Sequence, residues 1–240
     1  IISMWIFSKK VTQKKSMWTM DKLVVAVALA AGFIRVGNLM NSEIVGVRTE
    51  SELGFFYEYK AKNQIASFFS VESEKIQLNE TSIDTTINDI KYSQLKVRVP
   101  LGNKKMNPYY SEAFSTAFNF KAIDSDADFF SSNDKNDFVV SSTNELILPI
   151  YILPRIPTQL YEAISYWLIF CFLFWGYWKR DWYLYSGKLF GAFFTLLFAS
   201  RFIVEFFKEH QTLENSSLLT MGQYLSIPLV GVGLYFWIKS

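Results

Sequence analysis

The chain has 240 residues, half of them hydrophobic and 18% aromatic, with a net charge of +2. That balance offers no domain-wide basic surface and argues against a nucleic-acid partner. One cysteine, Cys171, and one histidine, His210, leave no material for a disulfide framework or for a thiolate- or imidazole-based metal centre. The 23 Phe residues, together with apolar runs long enough to span a bilayer, place the chain among membrane proteins.

Ile1-Ile2-Ser3-Met4-Trp5-Ile6-Phe7 opens without a basic n-region and is too short to cross a membrane. It reads as the end of a helix, an N-terminal remnant, in a sequence expected to lack its N-terminal part. Ser8-Lys9-Lys10-Val11-Thr12-Gln13-Lys14-Lys15 is a basic loop, cytoplasmic by the positive-inside rule. The segment 21–40 is the first complete apolar stretch, opened by Asp21 and Lys22. It runs outward and carries Arg35 and Asn38 to the external half of the membrane. Arg35 is the one charge between residues 23 and 42. Such an Arg costs about 3 kcal/mol in hydrocarbon, so it is expected to face a partner, with Arg201 and Glu205 as the expected partner site.

Residues 47–153 are polar and lack a spanning run. Residues 75–79 and 93–99 alternate apolar and polar with the strand period, and Asn88-Asp89 and Pro100-Leu101-Gly102-Asn103 are turn material. Asp124-Ser125-Asp126-Ala127-Asp128 and Asn133-Asp134-Lys135-Asn136-Asp137 read as exposed loops without the spacing of a calcium loop. This region is expected to be one external, mostly β insert.

Pro154-Arg155-Ile156-Pro157 ends the insert and suits a helix start. Apolar stretches follow at 158–178, 183–207 and 215–238. Basic clusters at 9–15, 179–180 and 239 then fall on one side, with the insert and the 208–214 loop on the other. The expected fold is an all-α polytopic membrane protein, three full transmembrane helices plus the N-terminal remnant, with the mostly β external insert. Its divisions are a membrane region 1–46, the insert 47–153 and a membrane region 154–240.

Arg201 and Glu205 are four residues apart and share a helix face. The topology places Arg35 at the same depth. Two guanidiniums converging at the lipid–water boundary can hold a phosphate through paired N–H donors. The alternative is a structural ion pair, Arg35–Glu205 or Arg201–Glu43. Two Arg against Glu43 and Glu205 leave no surplus positive charge for an anion unless one Glu is engaged elsewhere. Glu162, in the first turn of its helix, reads as complementing the helix dipole. Ser226 and Pro228 make the last span locally irregular near Gln223, and Gly187, Gly191 and Gly222 would allow close helix approach.

Ile34-Arg35-Val36-Gly37-Asn38-Leu39-Met40-Asn41-Ser42-Glu43-Ile44-Val45-Gly46 closely resembles the signature of the prolipoprotein diacylglyceryl transferase family. Three further stretches resemble the same family in the same order. They are Pro157-Thr158-Gln159-Leu160-Tyr161-Glu162-Ala163, Arg201-Phe202-Ile203-Val204-Glu205-Phe206-Phe207, and Thr220-Met221-Gly222-Gln223 followed by Pro228. The resemblance covers 1–50 and 154–240, and no motif covers the insert. It implies transfer of the diacylglyceryl group of phosphatidylglycerol to the lipobox cysteine thiol of a prolipoprotein signal peptide, with glycerol phosphate leaving and no metal or organic cofactor. It implies that Arg35 binds the lipid phosphate, with Gly46, Gln223, Tyr161 and Glu162 also in the substrate-binding set. Arg201 stabilises the leaving phosphate, Glu205 orients it, and Asn38 and Glu43 shape the catalytic site. The thiol comes from the substrate, so Cys171 need not act. It further implies a multi-pass protein of the bacterial cytoplasmic membrane whose partners are phosphatidylglycerol, the precursor and membrane lipids.

Three departures accompany the likeness. The family carries a His-Gly stretch, and a catalytic role for its His, ahead of the point where this sequence begins. Ile156 stands where a His usually precedes the Pro-Thr-Gln run, and Leu197 stands where a Tyr is common. Residues 1–240 alone are therefore expected to be inactive. A non-catalytic scaffold or headgroup-binding protein, with the insert as its interaction module, is the competing reading. A transporter is disfavoured because no charge lies within 164–178 or 215–238.

Overall fold

The structure, a computed structural model, describes residues 6–51, 53–87, 90–102, 108–119, 128–132, 134, 137–208 and 219–240. The chain divides into two compact units, one formed by Ile1–Val47 with Pro157–Ser240 and the other by Arg48–Ile156. The turn at Asn88-Asp89, the residues Asp124 to Ala127, His210 and the start of the last apolar stretch at 215–218 lie outside the described residues.

The first unit contains α1 (Ser16–Met40), α4 (Thr158–Lys179), α5 (Lys188–Val204) and α6 (Met221–Lys239), each long and apolar enough to cross a membrane when α5 is extended through Phe207. Among the described residues that makes four such helices, against the three full spans expected from the sequence. Ser16–Met40 forms 25 unbroken residues because neither Gly32 nor Gly37 interrupts its hydrogen-bond ladder. Ile6 and Phe7 are helical and lead into a π-helical turn at Ser8–Thr12. The last helix begins at Met221, with Thr220 as its N-cap, and runs through Pro228 without interruption. There the Ser226 hydroxyl donates to the carbonyl of Gly222 at 2.6 Å.

The core of this unit is Val24 and Ala28 of α1 against Tyr166, Ile169 and Leu173 of α4 and Leu189, Ala192 and Phe193 of α5. Small residues set the spacing. A Cβ on Gly191 would strike the backbone nitrogen of Trp237, and one on Gly233 would lie 2.6 Å from Thr195 N and Oγ1. The α5 and α6 backbones therefore touch, as lipid-embedded helices do when packing rather than water release holds them together. Asp21, 1% exposed, accepts from Gly187 N at 2.6 Å and Phe190 N at 2.8 Å. It caps the N-terminus of α5 from a neighbouring helix, meeting amide donors that have no partner within their own helix. Gly187 supplies the left-handed backbone, φ 96°, that presents its N–H to Asp21.

The second unit comprises α2 (Glu58–Phe69), β1 (Gln77–Ile87), β2 (Ile90–Pro100), α3 (Pro108–Ala117), β3 (Phe129–Ser131), β4 (Val139–Val140) and β5 (Glu145–Ile152). The strands form one antiparallel sheet in the order β1-β2-β5-β3, with β4 also against β5. Register places Pro100 opposite Glu145 and Gln94 opposite Tyr151. Val97, Val99, Leu146, Leu148 and Ile150 therefore share a face, packed beneath Ala61, Ile65, Phe69 and Phe114 from the two helices. The expected strand 93–99 falls inside β2, while 75–79 only enters β1 at Gln77, its first residues belonging to a 3-10 turn at Ser73–Lys75 and to Ile76. The described part of the insert is an antiparallel sheet, as expected, with two helices beside it, one of which presents Ala61, Ile65 and Phe69 at helical spacing. Asp128 is also corrected. It is fully buried rather than in an exposed loop, and it forms an ion pair with Arg155, itself 0% exposed, with Lys60 Nζ 3.6 Å away. Arg155 N donates to Phe55 O at 2.9 Å and Phe55 N to Arg155 O at 2.8 Å, so the pair joins both ends of the insert.

Replacing Asp128 with Ala removes the carboxylate that compensates a buried guanidinium, a change that costs about 3–5 kcal/mol. Limited proteolysis should show faster cleavage within 48–156. Replacing Asp21 with Ala uncaps α5 and should destabilise the membrane unit by about 2 kcal/mol, read as a lower melting temperature in detergent.

Candidate functional site at one end of the helix bundle

Arg35 sits five residues before the end of α1, and Glu162 lies in the second turn of α4. The helices run antiparallel, so both fall at the same end of the bundle. Arg35 Nε lies 2.9 Å from Glu162 Oε2, with Glu162 1% exposed and Arg35 14%. The other carboxylate oxygen accepts from Lys208 Nζ at 2.9 Å. Lys208 Nζ also stands 3.5 Å from Glu205 Oε2, and Glu205 Oε1 accepts from the Thr220 hydroxyl at 3.1 Å. Thr220 in turn receives Gln223 N at 3.3 Å, while its own N–H donates to Gln223 Oε1 at 3.0 Å, a reciprocal capping box at the start of α6. One charged and hydrogen-bonded chain thus links α1, α4, the end of α5 and the start of α6.

Tyr166, one turn along α4 from Glu162, is 3% exposed and lies within electrostatic reach of Glu162, Arg35 and Arg201. The Arg35 guanidinium stands 6.0 Å from its ring centre. Arg201 is half-buried in the last turn of α5 and makes no ion pair among the described residues. Among the described residues Arg35, Arg201 and Lys208 outnumber Glu162 and Glu205 by one. Charges at the edge of an apolar helix bundle interact more strongly than in water, so the arrangement can bind an anion. Arg201 has the guanidinium available for it.

The signature loop after α1 is held from two sides. Thr158 Oγ1 donates to Ile44 O at 3.1 Å, and the Gln159 side-chain amide donates to Glu43 O at 2.5 Å. Val47 N donates to Phe207 O at 3.1 Å, and Gly46 bridges Lys208. Within the loop Ser42 and Ile44 adopt left-handed backbone, φ 56° and 58°. A β-branched residue there costs about 1–3 kcal/mol and persists because its surroundings over-determine it.

The structure brings Arg35, Glu162, Glu205 and Gln223 into one network, with Gly46 at its edge through Lys208. Asn38 is half-buried, and its carbonyl accepts from Glu43 N at 2.9 Å. The Glu43 side chain is exposed and only its main chain engages the loop. Tyr161 is 37% exposed, its ring 6.5 Å from Phe207. Arg35 pairs with Glu162, not with Glu205, and the carboxylate read as a dipole complement is the centre of the network. Lys208, Tyr166 and Thr220 were missed. Lys208 follows Glu205 by three residues, and that i, i+3 spacing was the available signal. Gly222 gives Glu205 its room, since a Cβ there would meet Glu205 Oε1 at 2.5 Å.

The fold and site define a multi-helix membrane protein with a cluster of charged, hydrogen-bonded side chains at one end of its helices. A model of the prolipoprotein diacylglyceryl transferase family matches residues 1–239, and the chain belongs to that family. Among curated relatives, the phosphatidylglycerol–prolipoprotein diacylglyceryl transferases of Chloroherpeton thalassium and Porphyromonas gingivalis are 27% and 29% identical over the whole chain, covering 56% and 58% of their own lengths. That of Zymomonas mobilis is 46% identical over 91 residues, 37% of this chain and 32% of its own. The chain thus spans little more than half the length of the relatives it matches end to end.

Replacing Glu162 with Ala strands Arg35 and Lys208 without their shared counter-charge and should cost about 3 kcal/mol. Gly222→Ala should disturb Glu205 while leaving Glu162 in place. Thermal unfolding in detergent should show a large fall for the first variant and a smaller one for the second.

Proposed function

We propose that the protein transfers the diacylglyceryl group of phosphatidylglycerol to the lipobox cysteine thiol of prolipoproteins, the first step of bacterial lipoprotein maturation. Family membership supports the reaction class, and the relatives' names supply both substrates. The single observation that carries the reading on this chain is the surplus positive charge where Arg35 and Arg201 both reach Tyr166. In the transfer a sulfur–carbon bond forms at the glyceryl carbon as its bond to the phosphate oxygen breaks. The negative charge of the attacking thiolate passes to the departing glycerol phosphate. Fixed guanidinium donors, already oriented and shielded from bulk water, stabilise that charge without reorganising.

Arg35, anchored by Glu162, binds the lipid phosphate. Arg201 stabilises the phosphate as it leaves. Glu205, held by Thr220 and Lys208, orients the group, and Gln223 fixes the turn that carries Thr220. Asn38, Glu43 and Gly46 shape the signature loop beside it, and Tyr161 borders the substrate. The network end of the helices faces outward from the bacterial cytoplasmic membrane, the basic residues at 9–15, 179–180 and 239 face inward, and the insert lies on the external side.

In the protein produced from its complete gene, Arg35→Ala and Arg201→Ala should each lower transfer to a prolipoprotein by at least about a hundredfold, with membrane insertion and folding retained. Mobility shift of a lipidated precursor reads the reaction. Undiminished transfer in both variants would make the site a headgroup anchor rather than a transferase centre.

A further inference from the structure

The end of the helix bundle away from Arg35 and Glu162 is made by the start of α1, the end of α4, the start of α5 and the end of α6. Contacts hold these ends together. Asp21 accepts from the amides that open α5, and the Trp182 and Trp237 rings stand 6.3 Å apart. Lys9, Lys10, Lys14 and Lys15 precede α1 and are exposed. They stand on a folded turn. Ser8, 1% exposed, donates its hydroxyl to Lys14 O at 2.8 Å, and that hydroxyl lies 3.3 Å from Thr19 Oγ1 of α1. Thr12 Oγ1 donates to Ser8 O at 3.1 Å, and Trp18 N to Lys15 O at 2.9 Å. The four ammonium groups are thereby carried by a segment fastened to the first turn of α1.

Five further cations belong to the same end, and aromatic rings rather than carboxylates hold four of them. Lys22 Nζ lies 4.4 Å from the ring centre of Tyr177 and 4.7 Å from that of Tyr183. Lys188 Nζ lies 4.5 Å from the ring centre of Tyr185, and Lys239 Nζ 4.9 Å from that of Tyr235. The Arg180 guanidinium lies 5.1 Å from that of Trp175. Lys179, exposed at the end of α4, is the fifth. A ring face attracts a cation without cancelling its charge. Two acids stand against these nine cations among the described residues of this end. Asp21 is buried and its oxygens are taken by the amides of α5. Asp181 is exposed and within hydrogen-bonding reach of Tyr183. Trp175, Trp178, Tyr185 and Tyr235 are exposed among the cations. Such rings settle at the depth of lipid headgroups, which brings the cations to that depth.

We propose that this end of the bundle is a docking surface for the anionic phospholipid headgroups of the leaflet it meets. Phosphodiester oxygens accept from the ammonium and guanidinium donors. Each Lys or Arg near an anionic surface strengthens binding by about fivefold. The folded turn presents its four Lys residues on a fastened segment rather than a trailing tail, so less freedom is lost on contact. The occupant is a bilayer lipid rather than a free anion, because the exposed Trp and Tyr rings beside the cations take acyl chains as their apolar neighbours. The surface lies at the other end of the helices from Arg35 and Arg201 and does not draw on the transferase reading.

The test reconstitutes the protein from its complete gene in vesicles that mix phosphatidylcholine with phosphatidylserine, either lipid being brominated in its acyl chains. Phosphatidylserine is anionic without being the lipid substrate proposed above. Bromine quenches nearby indoles, and Trp18, Trp175, Trp178, Trp182 and Trp237 report on this end. The wild type should select phosphatidylserine over phosphatidylcholine by about tenfold at about 0.05 M salt, and the selection should fall by at least about threefold at about 0.5 M. Lys9→Gln, Lys10→Gln, Lys14→Gln and Lys15→Gln together should lower the selection by at least about fivefold. The same four positions changed to Arg should keep it, and Arg35→Ala should leave it unchanged. Equal quenching by the two lipids in the wild type, selection that persists in the Gln variant, loss in the Arg variant or in Arg35→Ala, or removal by inorganic phosphate at constant ionic strength would each overturn the proposal. If the Gln variant does not insert, the salt titration of the wild type decides, and a selection indifferent to salt overturns it.

Discussion

One carboxylate holds the membrane site together. Glu162 is almost wholly buried, at the junction of three polypeptide segments, and it offers one oxygen to Arg35 and the other to Lys208. Without it α1 would carry an uncompensated guanidinium among apolar helices, and Lys208 would keep only the longer contact with Glu205. The usual objection to buried ion pairs is that desolvation offsets their attraction. Here Arg35 and Lys208 are balanced by Glu162 and Glu205, and Arg201 beside them brings the additional positive charge. That imbalance is costly for stability alone, and under the proposed function it serves a phosphate. A site of this kind violates local rules of packing and charge, and such violations concentrate where function is.

The same logic extends outward from Glu162. Lys208 passes the interaction to Glu205, and Thr220 completes Glu205 while capping α6. The cap and the charge site are therefore one structure. The signature loop is fixed by side chains from the start of α4 and by the backbone after α5, which lets Ile44 keep a conformation that Ile ordinarily avoids. At the opposite end of the helices Asp21 performs the corresponding task with a different chemistry, closing the open amides of α5. The bundle is thus pinned at both ends by polar contacts, and glycine-mediated backbone contact between α5 and α6 joins them through the apolar middle.

Much of this was legible in the sequence. Apolar length alone located the helices, because lipid requires about 20 apolar residues for each crossing. The expected convergence of Arg35 with the Arg201–Glu205 region followed from alternating topology and helical spacing. Among the described residues there is one full span more than expected, and the two helices beside the insert's sheet were not foreseen. Those helices are short, 12 and 10 residues, too few turns for a helical period to stand out in a polar region. Pairing was less legible. Sequence spacing ranks neighbours along one helix and says little about neighbours across helices, so Glu162 was assigned to its own helix dipole while its true partners lie on other segments. Asp128 looked like loop because aspartate in a polar run usually is. Its burial depends on Arg155, 27 residues away, which no local pattern reveals. The anchoring of the signature loop by Thr158 and Gln159 was equally hidden, although both residues stood within a motif already singled out.

The account stands on Arg35 and Arg201 gripping one anionic lipid headgroup. Native mass spectrometry of the purified protein, released from micelles containing phosphatidylglycerol, tests this without requiring turnover. The account expects one retained phosphatidylglycerol in the wild type and its loss from both Arg35→Ala and Arg201→Ala, with zwitterionic lipid unaffected. Equal retention of phosphatidylglycerol by the wild type and both variants would contradict it.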